Sequence, residues 1–145
     1  MKNLSAFTLL MLVSLFSIES ALAQPKVKEN TAVGKSIEFD TQSYDFGHVE
    51  AGNYPGYRFV FVNNSSKRVS VTGFGRVCNL TVPAYSQEPI EPGESGFVKI
   101  VLNPRDLNGS IRKNFQIIFT YSDDGQQMRT GKNLIVEGNI VPEQI

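Results

Sequence analysis

From Ser36 onward the chain alternates apolar and polar residues with a period of two. Ile37 and Phe39 alternate with Glu38 and Asp40, and the segment Tyr44-Asp45-Phe46-Gly47-His48-Val49 repeats the pattern. Tyr57, Phe59 and Phe61 alternate with Arg58, Val60 and Val62 before the polar run Asn63-Asn64-Ser65-Ser66. Val69 and Val71 follow, and a short segment from Cys78 to Val82 is closed by Pro83. Val98, Ile100 and Leu102 form the next apolar face. Phe115, Ile117, Phe119 and Tyr121 form another, and Leu134, Val136, Gly138 and Ile140 the last. Period two belongs to strands, whose successive side chains point to opposite faces. No window of a dozen residues carries apolar residues at helical spacing.

Turn residues separate these segments: residues 52–56 with Pro55, then Pro92-Gly93, Asn103-Pro104, Asn108-Gly109 and Asp123-Asp124-Gly125. Residues 84–95 (AYSQEPIEPGES) form the longest irregular stretch, where Pro89 and Pro92 exclude pairing inside a sheet. Seven or eight short strands between turns predict an all-β sandwich or barrel. The expected core contains Phe39, Phe46, Phe59, Phe61, Val71, Ile100, Phe115, Ile117, Phe119 and Val136. Val60, Val62 and Ile118 lie on the opposite sides of their strands. They lie either under a loop or the leader, or on a contact surface for a partner.

The N-terminus has a different texture. Residues 1–23 (MKNLSAFTLLMLVSLFSIESALA) combine basic Lys2, an apolar run of about twelve residues and an Ala21-Leu22-Ala23 cleavage site. This is the order of a secretory signal peptide. Glu19 shortens the run below the roughly 20 residues that span a bilayer. Cleavage after Ala23 leaves 145 − 23 = 122 residues, the size of one domain. The expected organisation is a cleaved signal at 1–23, a flexible polar leader at 24–35, one β domain at 36–141 and a tail at 142–145. The mature protein is expected to be periplasmic or extracellular, and not membrane-spanning.

Composition narrows the functional classes. The chain has 14 Lys+Arg against 14 Asp+Glu, and Lys2 and Glu19 leave with the signal, so the mature chain balances at 13 against 13. Such neutrality without a basic tail argues against nucleic acid as a partner. At 41% apolar and 19% charged residues the chain can build a core. One Cys and one His exclude a disulfide framework, a Cys-rich zinc site and a two-His metal motif.

An ordered set of motifs carries a family resemblance. It runs Ile37-x-Phe39, Tyr44-Asp45-Phe46-Gly47-x-Val49-x-x-Gly52 and Tyr57-x-Phe59-x-Phe61-x-Asn63. It continues through Cys78 to Pro83, Pro89-Ile90-x-Pro92-Gly93 and Gly96-x-Val98-x-Ile100, and closes with Leu134-x-Val136-x-Gly138-x-Ile140. The chain resembles the domain of unknown function 1573 family, exported proteins of Gram-negative bacteria. That family is similar to the Hydin-like and major-sperm-protein-like branch of immunoglobulin-like domains. The resemblance implies an all-β, immunoglobulin-like β-sandwich of seven to eight antiparallel strands over about residues 36–141, and no reaction. The family commonly shows Ser-Cys-Gly-Cys-Thr where this chain reads Val77-Cys78-Asn79-Leu80-Thr81, so Leu80 replaces the second thiol.

Each chemical candidate has a plainer explanation. His48 lacks a visible acid–base partner and reads as a solvent-facing strand residue. Asp123 and Asp124 offer too few oxygens for a calcium loop, and a hairpin turn explains them. The Asn63, Asn64, Asn79 and Asn108 triplets match the glycosylation pattern but read as loop polar residues. Arg58, Lys67, Arg68 and Arg76 read as a solvated face. Tyr54, Tyr57 and Tyr85 offer a sugar platform, although strand tyrosines are more often core. Glu88, Glu91 and Glu94 are the carboxylates a hydrolase would use, at a spacing that fixes no geometry. Cys78 is expected to be buried as a small hydrophobe, its rival being an exposed thiol that links chains. No catalytic, cofactor-binding or metal residue is assigned, and no cofactor. The expected function is a non-enzymatic interaction or structural module of the cell envelope, with an unidentified envelope or extracellular protein as partner. A carbohydrate-binding module using loop tyrosines is the alternative.

Overall fold

A computed structural model describes residues 31–143. A short helix, α1 (Thr31–Ser36), precedes eight strands: β1 (Ile37–Phe39), β2 (Ser43–Glu50), β3 (Gly56–Asn63), β4 (Val69–Phe74), β5 (Leu80–Tyr85), β6 (Ser95–Leu102), β7 (Gly109–Asp123) and β8 (Gln126–Val141). They form two four-stranded sheets, ordered β1-β3-β6-β5 and β2-β8-β7-β4. The first has the order of the larger sheet of an immunoglobulin constant-type domain. β4, β7 and β8 make the smaller sheet, and β2 is added beside β8. The all-β, immunoglobulin-like sandwich follows from this order.

The strands are not all antiparallel as expected: β2 runs parallel to β8, from Ser43↔Ile135 to Glu50↔Val141. The cause is the short link between β1 and β2. Residues 40–42 carry the chain from one sheet to the other without reversing it, and the Ile135 amide donates to the Gln42 carbonyl at 2.8 Å. β2 therefore lies beside the last strand, running the same way.

Pro83 does not close its strand either. It lies inside β5, where the pairing with β6 shifts register between Thr81 and Ala84. Proline has no amide to donate, and an edge strand with a bulge tolerates that loss. Residues 31–35, at the end of the stretch expected to be a flexible leader, form most of α1. Val33 is buried there, and a Cβ on Gly34 would collide with the Thr130 side chain. The expected signal peptide lies outside the described residues.

The facing sheets bury Ile37, Phe59, Phe61, Val98 and Ile100 against Val69, Val71, Phe115, Ile117, Phe119, Leu134 and Val136. The Phe61 ring meets Phe119 edge-on at 5.1 Å, the favoured geometry for two aromatic quadrupoles. Phe39 and Phe46 are only half-buried, because β1 and β2 are edge strands. Val60, Val62 and Ile118 are half-buried on the outer faces, with Ile118 close to Gly73.

The second sheet is staggered. β7 and β8 form a long hairpin closed by Asp124 and Gly125, both at positive φ (48° and 76°), as a two-residue type I′ turn requires. β2 pairs with β8 only over residues 135–141, and β4 with β7 only over residues 117–121. Among the described residues each long strand is thus left with half an edge unpaired. On β8 that half is residues 126–134, against which α1 packs. On β7 it is residues 109–115.

Candidate interaction surface

The fold scatters most of the residues singled out in the sequence. His48 is exposed beside a kink in β2, where Gly47 takes φ 68° and its amide donates to the Asp45 carboxylate at 2.8 Å. A shallow depression of about 450 Å³ adjoins it, with the Arg112–Glu137 ion pair in its wall. Asp123 is engaged by Lys67 at 2.7 Å, and that hydrogen bond raises the Lys67 ammonium above its ordinary value. Among the described residues no three His, Cys, Asp or Glu side chains converge on a common point. Glu91 pairs with Arg68 at 2.5 Å, and the Glu94 carboxylate accepts the Glu91 amide at 3.0 Å, so both hold their own loop in shape. Glu88 is exposed.

The three tyrosines do not meet. Tyr57 is covered by Tyr44, stacked at 3.7 Å, while Tyr85 packs edge-on against Phe74 at 5.0 Å on the opposite flank. Tyr54 is exposed. The basic residues are dispersed too. Arg58 lies over the Phe97 ring at 3.7 Å, Lys67 and Arg68 have acidic partners, and Arg76 is exposed without one among the described residues.

Asn63 is not a loop residue but is fully buried. Its amide donates to the Lys67 and Ile90 carbonyls at 2.7 and 3.0 Å, and its oxygen accepts the Ser65 amide and hydroxyl at 3.1 and 2.6 Å. The polar run after β3 concealed this, because composition there signals only a turn.

Cys78 is the main correction: it is exposed, on a turn and not in a strand. The turn belongs to the crossover between the sheets. Beyond Phe74 the Gly75 amide makes one more bond to β7, donating to the Gln116 carbonyl at 2.7 Å. The chain then leaves the second sheet and turns at Asn79, whose φ of 67° suits Asn better than a branched residue. It enters β5 at Leu80. Phe74, Val77, Leu80 and Val82 cover the open flank between the sheets and stay half-buried against the core. Between them runs a groove of about 530 Å³, with Arg76 and Cys78 exposed along it. The sequence carried a signal for it: four apolar residues at 74, 77, 80 and 82, of which only the last two fall in the short segment read from Cys78 to Val82.

The four outermost strands are poor templates for an added strand. β1 has three residues, β2 is bulged between Asp45 and His48, β4 between Val71 and Gly73, and β5 at Pro83. Shortness, bulges and edge prolines interrupt the hydrogen-bonding row that a partner would need.

The two sheets and their crossover define an immunoglobulin-like β-sandwich. Its solved relatives by shape include PapD-like domain 7 of human CEP192, with a TM-score of 0.59 and 13% identity, over 85% of this chain and 95% of that one. They include the VesB protease of Vibrio cholerae, with a TM-score of 0.56 and 17% identity, over 73% of this chain but only 32% of that one. A Porphyromonas gingivalis protein of unknown function aligns with a TM-score of 0.55 and 12% identity, over 74% of this chain and 49% of that one. At such identities these likenesses show the fold alone. No curated protein matches the chain in sequence. The chain belongs to the DUF1573 family, proteins of unknown function, whose model matches residues 37–140. Among the described residues no helix is long and apolar enough to cross a membrane.

Proposed function

We propose that this protein is an exported, non-enzymatic interaction module of the cell envelope that holds a partner protein at the β4–β5 crossover. The groove lined by Phe74, Val77, Leu80 and Val82 carries the reading, because apolar side chains left half-covered on a surface are what a partner buries. The signal-like residues 1–23 support export to the periplasm or beyond. The carbohydrate alternative is disfavoured by the Tyr44–Tyr57 stack, which occupies the ring face a sugar would need.

Cys78 is the sole thiol and is exposed beside the groove, so a thiol-linked photocrosslinker can be placed there without mutation. Irradiated envelopes should yield one defined protein adduct, which Val77→Asp abolishes. An adduct pattern unchanged by Val77→Asp would remove the groove from the proposal. The exported protein should have the mass of residues 24–145. Glycosidase, esterase and peptidase substrates should give background rates. Activity that disappears on replacing Glu88, Glu91 or Glu94 would overturn the non-enzymatic reading.

A further inference from the structure

The unpaired half of β7 differs from the other edges. Its register against β8 is unbroken from Gly109↔Ile140 to Asp123↔Gln126, so it has neither bulge nor proline. In an antiparallel ladder alternate residues direct both N–H and C=O to the same neighbour. Gln116 directs its carbonyl towards β4, where it receives the Gly75 amide. Ser110, Arg112 and Asn114 share that parity, and β4 has already left the sheet at their level. Three N–H and three C=O groups therefore face a slot that continues the line of β4. The matching half of β8 has α1 packed against it, whereas among the described residues no element pairs with residues 109–115 on this side.

The inward side of the slot is Ile111, Lys113 and Phe115. Lys113 stands opposite Val136, on the face that otherwise builds the core, and is half-buried. It has no ion pair with another described residue. Ile111 and Leu80 pack on the same small cluster of Val49, Leu102 and Ile140, so the slot and the crossover groove border one space. An inward-pointing lysine on an open edge repels an ordinary apolar strand, because that strand would bury the ammonium unpaired. A strand that brings a carboxylate to the same level removes that cost. A second copy pairing β7 to β7 about Lys113 would set two ammonium groups side by side, which excludes self-association of that kind.

We propose that residues 110–115 of β7 take up an extended segment of a partner protein that carries Asp or Glu flanked at alternate positions by apolar residues. Its carboxylate meets Lys113, and its backbone bonds to Ser110, Arg112 and Asn114. This rests on the interaction-module reading and names the chemistry of the partner. Lys113 acts as a charge gate on an otherwise usable edge.

The test uses the mature full chain and fluorescent peptides of sequence Thr-Val-Thr-X-Thr-Val-Thr, with X as Glu or Lys. The Glu peptide should bind at least about tenfold more tightly than the Lys peptide, and Lys113→Glu should invert the order. Lys113→Gln, a neutral control for folding, should abolish the preference without inverting it. N-methylation of one alternate set of peptide amides should abolish binding, and of the other set should leave it. No saturation up to about 1 mM, equal binding of the two peptides, or indifference to N-methylation would each overturn the proposal. Should the peptides fail while the Cys78 crosslink persists and remains sensitive to Val77→Asp, the slot falls and the interaction module stands.

Discussion

Replacing Asn63 by Ala tests whether a buried amide organises one end of the sandwich. The side chain makes four hydrogen bonds at 2.6–3.1 Å and is fully buried. The partners do not all suffer equally. The Ile90 carbonyl keeps the Val69 amide at 3.0 Å, and the single Ser65 hydroxyl proton, freed from Asn63, turns to the Lys67 carbonyl at 3.0 Å. Losing one of two donors at the Ile90 carbonyl costs about 0.5–1 kcal/mol. The Ser65 amide, in a buried residue, has Asn63 as its acceptor and is left unpaired, at about 1–3 kcal/mol. Together these give about 1.5–4 kcal/mol. Asn63→Asp should be worse at neutral pH, because a carboxylate would face two carbonyl oxygens in place of the amide donors. Such an acid has its pKa raised in the folded state, so the deficit should shrink as pH falls. Urea melts at constant slope measure both effects as shifts in midpoint. A loss below about 1 kcal/mol for Asn63→Ala, or an Asp variant no weaker than the Ala variant at pH 7, would refute the reasoning.

Three further outcomes are expected. Phe59→Ala should lose about 3–5 kcal/mol in the same melts, since the ring is 1% exposed and packs against Tyr57 and Phe115. Tyr121 is buried with its hydroxyl unpaired among the described residues, so Tyr121→Phe should be neutral or stabilise by up to about 1 kcal/mol. Burial, then the nearby Asp123 charge, raises the phenol above its ordinary 10.0. The folded state thus holds that proton more tightly than the unfolded one. Wild-type stability should fall as pH rises through the alkaline range above 10.0, and the Phe variant should lose less there in pH-dependent melts. Cys78 should react with a maleimide in the native protein as fast as in urea, because it is exposed on its turn. Protection in the native state would return it to the core.

The sandwich was legible because its strands carry their apolar residues at period two. Phe59, Phe61, Phe115, Ile117 and Phe119 can face inward together only as strands, and they do. The hairpin at Asp124-Gly125 was legible for a similar reason, since its two residues tolerate the positive φ that the turn demands. The parallel pairing of β2 was not, because it depends on where the chain crosses between sheets, and periodicity is blind to a neighbour's direction. Cys78 misled because an apolar flank suggests burial, whereas the Val77 and Leu80 beside it are half-buried at a crossover.

The sequence by itself determined what local chemistry can specify: strand segments, turns and most core positions. It also contained Lys113 and the apolar residues from Phe74 to Val82, but as ordinary members of strands and turns. Only the tertiary structure decided that β4 stops short of the end of β7, that an inward-facing lysine stands in the gap, and that a half-covered groove begins beside it. The physical reason is that an edge is a relation between strands distant in the chain. Whether an N–H group is paired or open depends on the length of its neighbour, and no pattern within its own strand records that length.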